Sequence, residues 1–187
     1  MNEQHDNLKQ YVNDVVAMER QITQMVSIQV QDERIQAHPE LMELLEKVLD
    51  SSEERMQLFK ALSDEEGGGV GAALKEGVTA VAGTLTGLCE KVREHPVSRM
   101  VRDDVVAMDV ASVSYGMLLT LGIATGHTNC ADLARRALGT CPPLVIQLTD
   151  ILPSIVVKEL AKDAPLANPG AAKLACSEIR DAWNSHR

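Results

Sequence analysis

The chain has 187 residues, 45% of them hydrophobic but only 2% aromatic, and a formal net charge of -9. That length suits one domain with a sizeable core, and a core nearly without aromatics has to be Leu, Val, Ile, Ala and Met, which is a helical rather than a sheet composition. The acidic balance speaks against nucleic acid and anionic membrane surfaces as partners, because both require a basic face.

A first helix is predicted over residues 2–36, ending before Pro39, which disfavours helix at His38. Along its 3.6-residue period Leu8, Val12, Val15, Glu19, Ile22, Val26 and Gln29 share one face. Glu19 stands out, since a carboxylate on an apolar face is costly unless it is paired, protonated or metal-bound. Pro39 suits the first turn of a second helix over residues 39–63, with Leu41, Leu45, Val48, Ser52, Met56 and Phe59 facing inward. The run Asp64-Glu65-Glu66-Gly67-Gly68-Gly69 breaks it, because consecutive glycines lose too much backbone entropy in a helix.

A third helix is predicted over 70–94, with Leu74, Val78, Val81, Leu85, Leu88 and Val92 inward and Gly71, Gly77, Gly83 and Gly87 permitting close approach. His95-Pro96 ends it, and the next helix, 97–124, carries Met100, Asp104, Ala107, Ala111, Ser114 and Leu118. Beyond the Thr125-Gly126-His127-Thr128 turn, a short helix over 129–138 takes Thr128 as its N-cap and is broken by Gly139 and Pro142-Pro143. Another spans 142–163, kinked at Pro153, and Asn168-Pro169 opens a final amphipathic helix that reaches Trp183. No segment alternates long enough to demand a strand, so the fold class is all-α.

No uninterrupted apolar run of about 18 residues predicts a membrane span. Residues 1–20 include Glu3, Asp6 and Asp14 and lack a signal-peptide core. The four cysteines, Cys89, Cys130, Cys141 and Cys176, show no paired spacing and read as buried small hydrophobes in a reducing cytoplasm, the expected location. Cys141 lies near a predicted helix start but has no adjacent basic residue to make it a nucleophile. The glycine run at 67–71 lacks the Gly-Lys-Ser/Thr of a phosphate loop and reads as a linker. Methionines such as Met18, Met25, Met56, Met100, Met108 and Met117 read as adaptable core filler.

Three stretches, in this order, resemble the ferritin-like superfamily and in particular its small stress-associated bacterial branch. Met18-Glu19-Arg20-Gln21-Ile22-Thr23 is similar to the first-helix pattern AEKQLT, whose glutamate is a metal ligand. Pro39-Glu40-Leu41-Met42-Glu43-Leu44-Leu45-Glu46 is similar to the second-helix opening PELKEAFE, and Val101-Arg102-Asp103 to the VRD opening of the third bundle helix. The likeness spans most of residues 5–163. It implies an antiparallel four-helix bundle with a long crossover helix, a single domain over 1–187 with a helical extension at 164–187, and self-association as a homodimer.

Such bundles hold two metals with one carboxylate from each of two helices and a Glu-x-x-His unit from each of the others. Glu19 matches the first carboxylate. The other family positions fall near Ser51, Ser52 and Arg55, then among Met108, Ala111, Ser114 and Met117, and last near Gly139 and Thr140. His5, His38, His95, His127 and His186 sit at predicted ends or turns, none within Glu-x-x-His. The resemblance therefore implies a member degenerate in its ligands, with no catalytic residue and no cofactor; for Glu19 three readings stay open, an exposed or simply hydrogen-bonded carboxylate, an internal ion pair with Arg55, and a retained metal role.

The leading expectation is a non-enzymatic protein acting by structure or association, stress-related through the resemblance alone, with no nucleic-acid or membrane partner. Two rivals stay open. One is a divergent di-iron or di-manganese carboxylate protein, an enzyme or a metal store, built from Glu19, Glu53, Asp109 and Asp150. The other binds a small ligand in an apolar cavity along the bundle axis. Asp103, Asp104 and Asp109 read as a solvated helix N-terminus, and Tyr115 as a packed ring with its hydroxyl at the rim.

Overall fold

Every described element is an α-helix, which follows from long stretches of apolar residues at helical spacing. The structure, a computed structural model, describes residues 3–65 and 96–185. Its elements are α1 (Glu3–Gln29), α2 (Glu33–Gln36), α3 (Pro39–Glu65), α4 (Val97–Thr125), α5 (Thr128–Asp163) and α6 (Ala171–Asn184). The helix predicted over 70–94, the 67–71 glycine run and Cys89 lie outside the described residues.

The first predicted helix is cut in two. Asp32 accepts the N–H of Arg34 and caps α2, while its own N–H returns to Gln29 O at 2.9 Å. This turn drops Ile35 into the core. Two predicted helices, by contrast, are one: α5 runs unbroken through Gly139, Pro142, Pro143 and Pro153. Each proline removes one helical hydrogen bond, but Cys141, Leu144, Val145 and Leu148 are buried around them, and that burial holds the helix together. The N-cap of α5 is His127 rather than Thr128, its ring accepting Cys130 N–H at 3.3 Å.

α4 ends in a Schellman motif. His127 N–H reaches Gly122 O at 2.8 Å and Gly126 N–H reaches Ile123 O, with Gly126 at φ 71, a conformation that favours glycine. α6 begins at Ala171 because Asn168 Oδ1 accepts Gly170 N–H and holds the preceding turn.

The four long helices close into a ring in the order α1, α3, α5, α4, and each packs against two of the other three. Neighbours run antiparallel, as their paired residues show: Asn13 with Ser63 and Glu19 with Arg55 for α1 and α3, Gln29 with Asp104 and Glu19 with Tyr115 for α1 and α4. Thr140 with Arg55 and Asn129 with Glu65 give the same sense for α3 and α5. It follows that α3 and α4 are parallel and diagonal, so the end of α3 and the start of α4 lie at opposite ends of the ring. Among the described residues the apolar core between them is built of aliphatic, methionine and cysteine side chains with one aromatic stack, Phe59 on Tyr115, with centroids 5.9 Å apart and planes 4° from parallel.

α6 packs on the outside of α5 and contributes no buried residue. Its anchor is a fork in which Arg180 Nε and Nη2 donate to the two oxygens of Asp150 at 2.9 and 2.8 Å. By length and composition α4 and α5 are also apolar enough to cross a membrane, a test that core helices of soluble proteins pass as well. Unbroken apolar runs do not register this, because polar residues interrupt both helices.

Candidate functional site

The inward stripe of α1 places Glu19 at the middle of the ring with no exposed surface. At the same level α3 contributes Ser52 and Arg55, one turn apart on its buried face, α4 contributes Tyr115 and α5 contributes Thr140. Arg55 Nε donates to Glu19 Oε1 at 2.7 Å, and Nη2 lies 3.3 Å from Oε2. Ser52 makes a short hydrogen bond to Oε2, and the Tyr115 hydroxyl donates to Oε1. Arg55 Nη1 reaches Thr140 Oγ1 at 3.3 Å, and its guanidinium carbon stands 5.9 Å from the centroid of the Tyr115 ring. Thr23 completes the layer by donating to Ser52 Oγ at 3.2 Å.

Burial pushes the Glu19 carboxyl above its ordinary range, against the charge of Arg55 and the hydrogen bonds from Arg55 and Ser52. Cys141 borders this layer in the middle of α5, with its thiol directed at Met108 O, 3.5 Å away. Burial raises its pKa, which removes the thiolate that a nucleophile needs. The reading of Cys141 as a residue near a helix start is thereby corrected.

Ser52 and Glu19 have the contact of a nucleophile and its base, but neither is exposed. The approach to Arg55 is a crevice of about 60 Å³ between α3 and α5, lined by Ser51, Glu54, Leu58, Arg136 and Thr140. It has room for a few waters and not for a substrate.

A di-metal centre also finds the wrong donors in this layer. It offers one carboxylate, four hydroxyls and a fixed guanidinium, whereas small divalent ions take several carboxylate oxygens or imidazole nitrogens. Among the described residues no group of three or more His, Cys, Asp or Glu side chains is placed to hold a metal ion. The set proposed for a divergent centre is dispersed. Glu53 and Asp109 are exposed on α3 and α4, and Asp150 is engaged by Arg180 of α6.

Three further expectations are corrected. The Tyr115 hydroxyl is not at the rim, because the ring fills the inward position that Ser114 was predicted to take. Asp103 and Asp104 are not a solvated first turn: both are buried, and Asp104 accepts a hydrogen bond from Gln29 Nε2 at 2.9 Å. Met117 is about half exposed and so is not core filler. Thr140 enters the layer only because α5 continues through its prolines, which residue spacing could not reveal. No family model, curated protein or solved structure matches the chain.

Proposed function

We propose that the chain is a ferritin-like four-helix bundle in which the Glu19–Arg55 ion pair takes the place of a di-metal centre, and that it works by self-association as a homodimer rather than by catalysis. The helix order supports the fold reading. Parallel, diagonal α3 and α4 demand a connection that spans the length of the bundle, and 30 residues, 66–95, are available for it. The observation that carries the functional reading is Arg55 itself: a permanent cation on the one carboxylate of the central layer.

Association is supported by the outer face of α4. Val106, Val110, Val113, Met117, Thr120 and Ala124 recur at alternating spacings of four and three residues, the seam of a coiled coil, and none is charged. Val113 is 66% exposed, Met117 48% and Val106 44%. A Cβ placed on the adjacent Gly116 would meet nothing among the described residues, which leaves room for a second helix to approach closely there. An apolar seam of this kind is self-complementary under a two-fold axis, and its roughly 27 Å length suits a helix-on-helix contact.

The test combines light scattering of the full chain over a range of concentrations with elemental analysis after growth in added iron and manganese. A dimer without stoichiometric metal supports the reading. A monomer at every concentration, or about two metals per chain, overturns it.

A further inference from the structure

Gln29 closes α1 and Asp104 stands in the second turn of α4, so their contact ties the end of one helix to the beginning of its antiparallel neighbour. Both side chains are buried, Gln29 at 0% and Asp104 at 1% exposure. Gln29 Nε2 donates to Asp104 Oδ1 at 2.9 Å. The second oxygen of each group, Gln29 Oε1 and Asp104 Oδ2, has no hydrogen-bond partner. Two orphaned buried acceptors on adjoining groups are costly, and the large majority of buried polar atoms in native cores have a partner.

An ionised Asp104 would also lack a counter-ion. Its neighbour Asp103 carries the same charge and is held by Arg102, whose Nε lies 2.8 Å from Oδ1. Of the charged groups on the other elements meeting at this end, Asp32 is engaged by Arg34 and Glu159 of α5 accepts Ser98 N–H at 3.1 Å. Lys158 and Lys162 of α5 act on His38.

We propose that Asp104 is a proton-binding site: its carboxyl is neutral, donates from Oδ2 to Gln29 Oε1, and forms with the Gln29 carboxamide a reciprocal acid–amide pair that latches α1 to α4. One proton satisfies both orphaned oxygens and removes the uncompensated charge. Burial, the largest influence, holds this carboxyl well above its ordinary range, with the Gln29 hydrogen bond pulling it down and Asp103 pushing it further up.

The latch is pH-sensitive. Because the folded pKa is raised, the stabilisation is complete below the unfolded value near 3.8 and is lost progressively as pH rises toward the folded pKa. Ionisation removes the acid's donor, keeps only the Gln29 Nε2 bond and leaves Asp104 Oδ2 and Gln29 Oε1 as two unpaired acceptors side by side, which loosens the α1–α4 end.

The decisive variant is Asp104→Asn in the full chain. Its amide reproduces both hydrogen bonds without a titrating proton. The expected result is an unfolding midpoint at least as high as the parent's, with the advantage widening from about pH 5 to about pH 8. A carboxyl carbon resonance of Asp104 that stays at its protonated position well above the pH at which an exposed aspartate ionises is expected alongside it. The proposal is overturned if Asp104→Asn is less stable than the parent with no pH trend, or if the resonance reports an ionised group at pH 5. It is equally overturned if sodium, potassium or magnesium salts stabilise the parent and not the variant, since a cation would then fill the place of the proton.

Discussion

Arg55 reaches from α3 to Glu19 on α1 with Nε 2.7 Å from Oε1, and the two side chains are 6% and 0% exposed. A pair so deeply buried is weak evidence for net stability, because desolvating two charges offsets most of their attraction. Its effect lies in what happens when one partner is removed.

Arg55→Met should therefore destabilise the fold by about 3–5 kcal/mol at neutral pH, by leaving a buried carboxylate unpaired. Burial already raises the Glu19 pKa above 4.5, so the deficit should shrink as pH falls and the carboxyl takes up a proton. The double variant Glu19→Leu/Arg55→Met should recover most of the loss. Urea unfolding of the three proteins between about pH 4 and pH 8 checks this. A double variant as unstable as the single one would mean that the layer does not act as a unit.

Tyr115→Phe removes the hydroxyl and keeps the ring on Phe59. It should cost about 1–3 kcal/mol through the hydrogen bond lost at Glu19, and Ser52→Ala should cost a similar amount through the other oxygen. Chemical denaturation measures both, and a neutral Tyr115→Phe would place the tyrosine hydroxyl elsewhere.

Val113→Glu and Met117→Lys, made singly, each set a charge against its own copy across a two-fold α4 seam. Each should convert the proposed dimer to monomer in light scattering without changing helical content, because among the described residues neither side chain is buried. A variant that stays dimeric but loses stability would show that the seam is covered from within the same molecule.

Two glycines should respond in opposite directions. A Cβ at Gly122 would lie 2.8 Å from Ala131 N, a backbone atom that cannot give way, so Gly122→Ala should cost about 1–3 kcal/mol by forcing α4 from α5. Gly139 sits inside α5 with nothing near its Cβ position, and Gly139→Ala should stabilise by about 0.5–1 kcal/mol. Thermal unfolding of both variants resolves the difference in sign.

Helical spacing alone made the buried faces legible. All seven residues of the predicted α1 stripe are buried, including Glu19 and Gln29, and on α3 only Met56 is partly exposed. Periodicity reports which side of a helix avoids water, and for long amphipathic helices that is a local property. Helix continuity was less legible. Asp32 interrupts α1 and α2 through a local cap, whereas three prolines fail to interrupt α5 because burial from distant segments outweighs their local cost.

Partnership was decided by tertiary structure. Glu19 meets Ser52 and Arg55 across 33 and 36 residues of chain, and Tyr115 across 96. Gln29 and Asp104 both stand on predicted inward faces, yet nothing in either helix says that they meet. For Glu19, Gln29 and Ser52 the sequence by itself determined an inward position, since their neighbours at helical spacing are apolar, whereas Asp104, though on such a face, and the Tyr115 hydroxyl read as solvated and are buried. Only the rotation and axial register of the packed helices decided which groups meet. Those are set by the sum of many side-chain contacts across the ring, and no single segment encodes them.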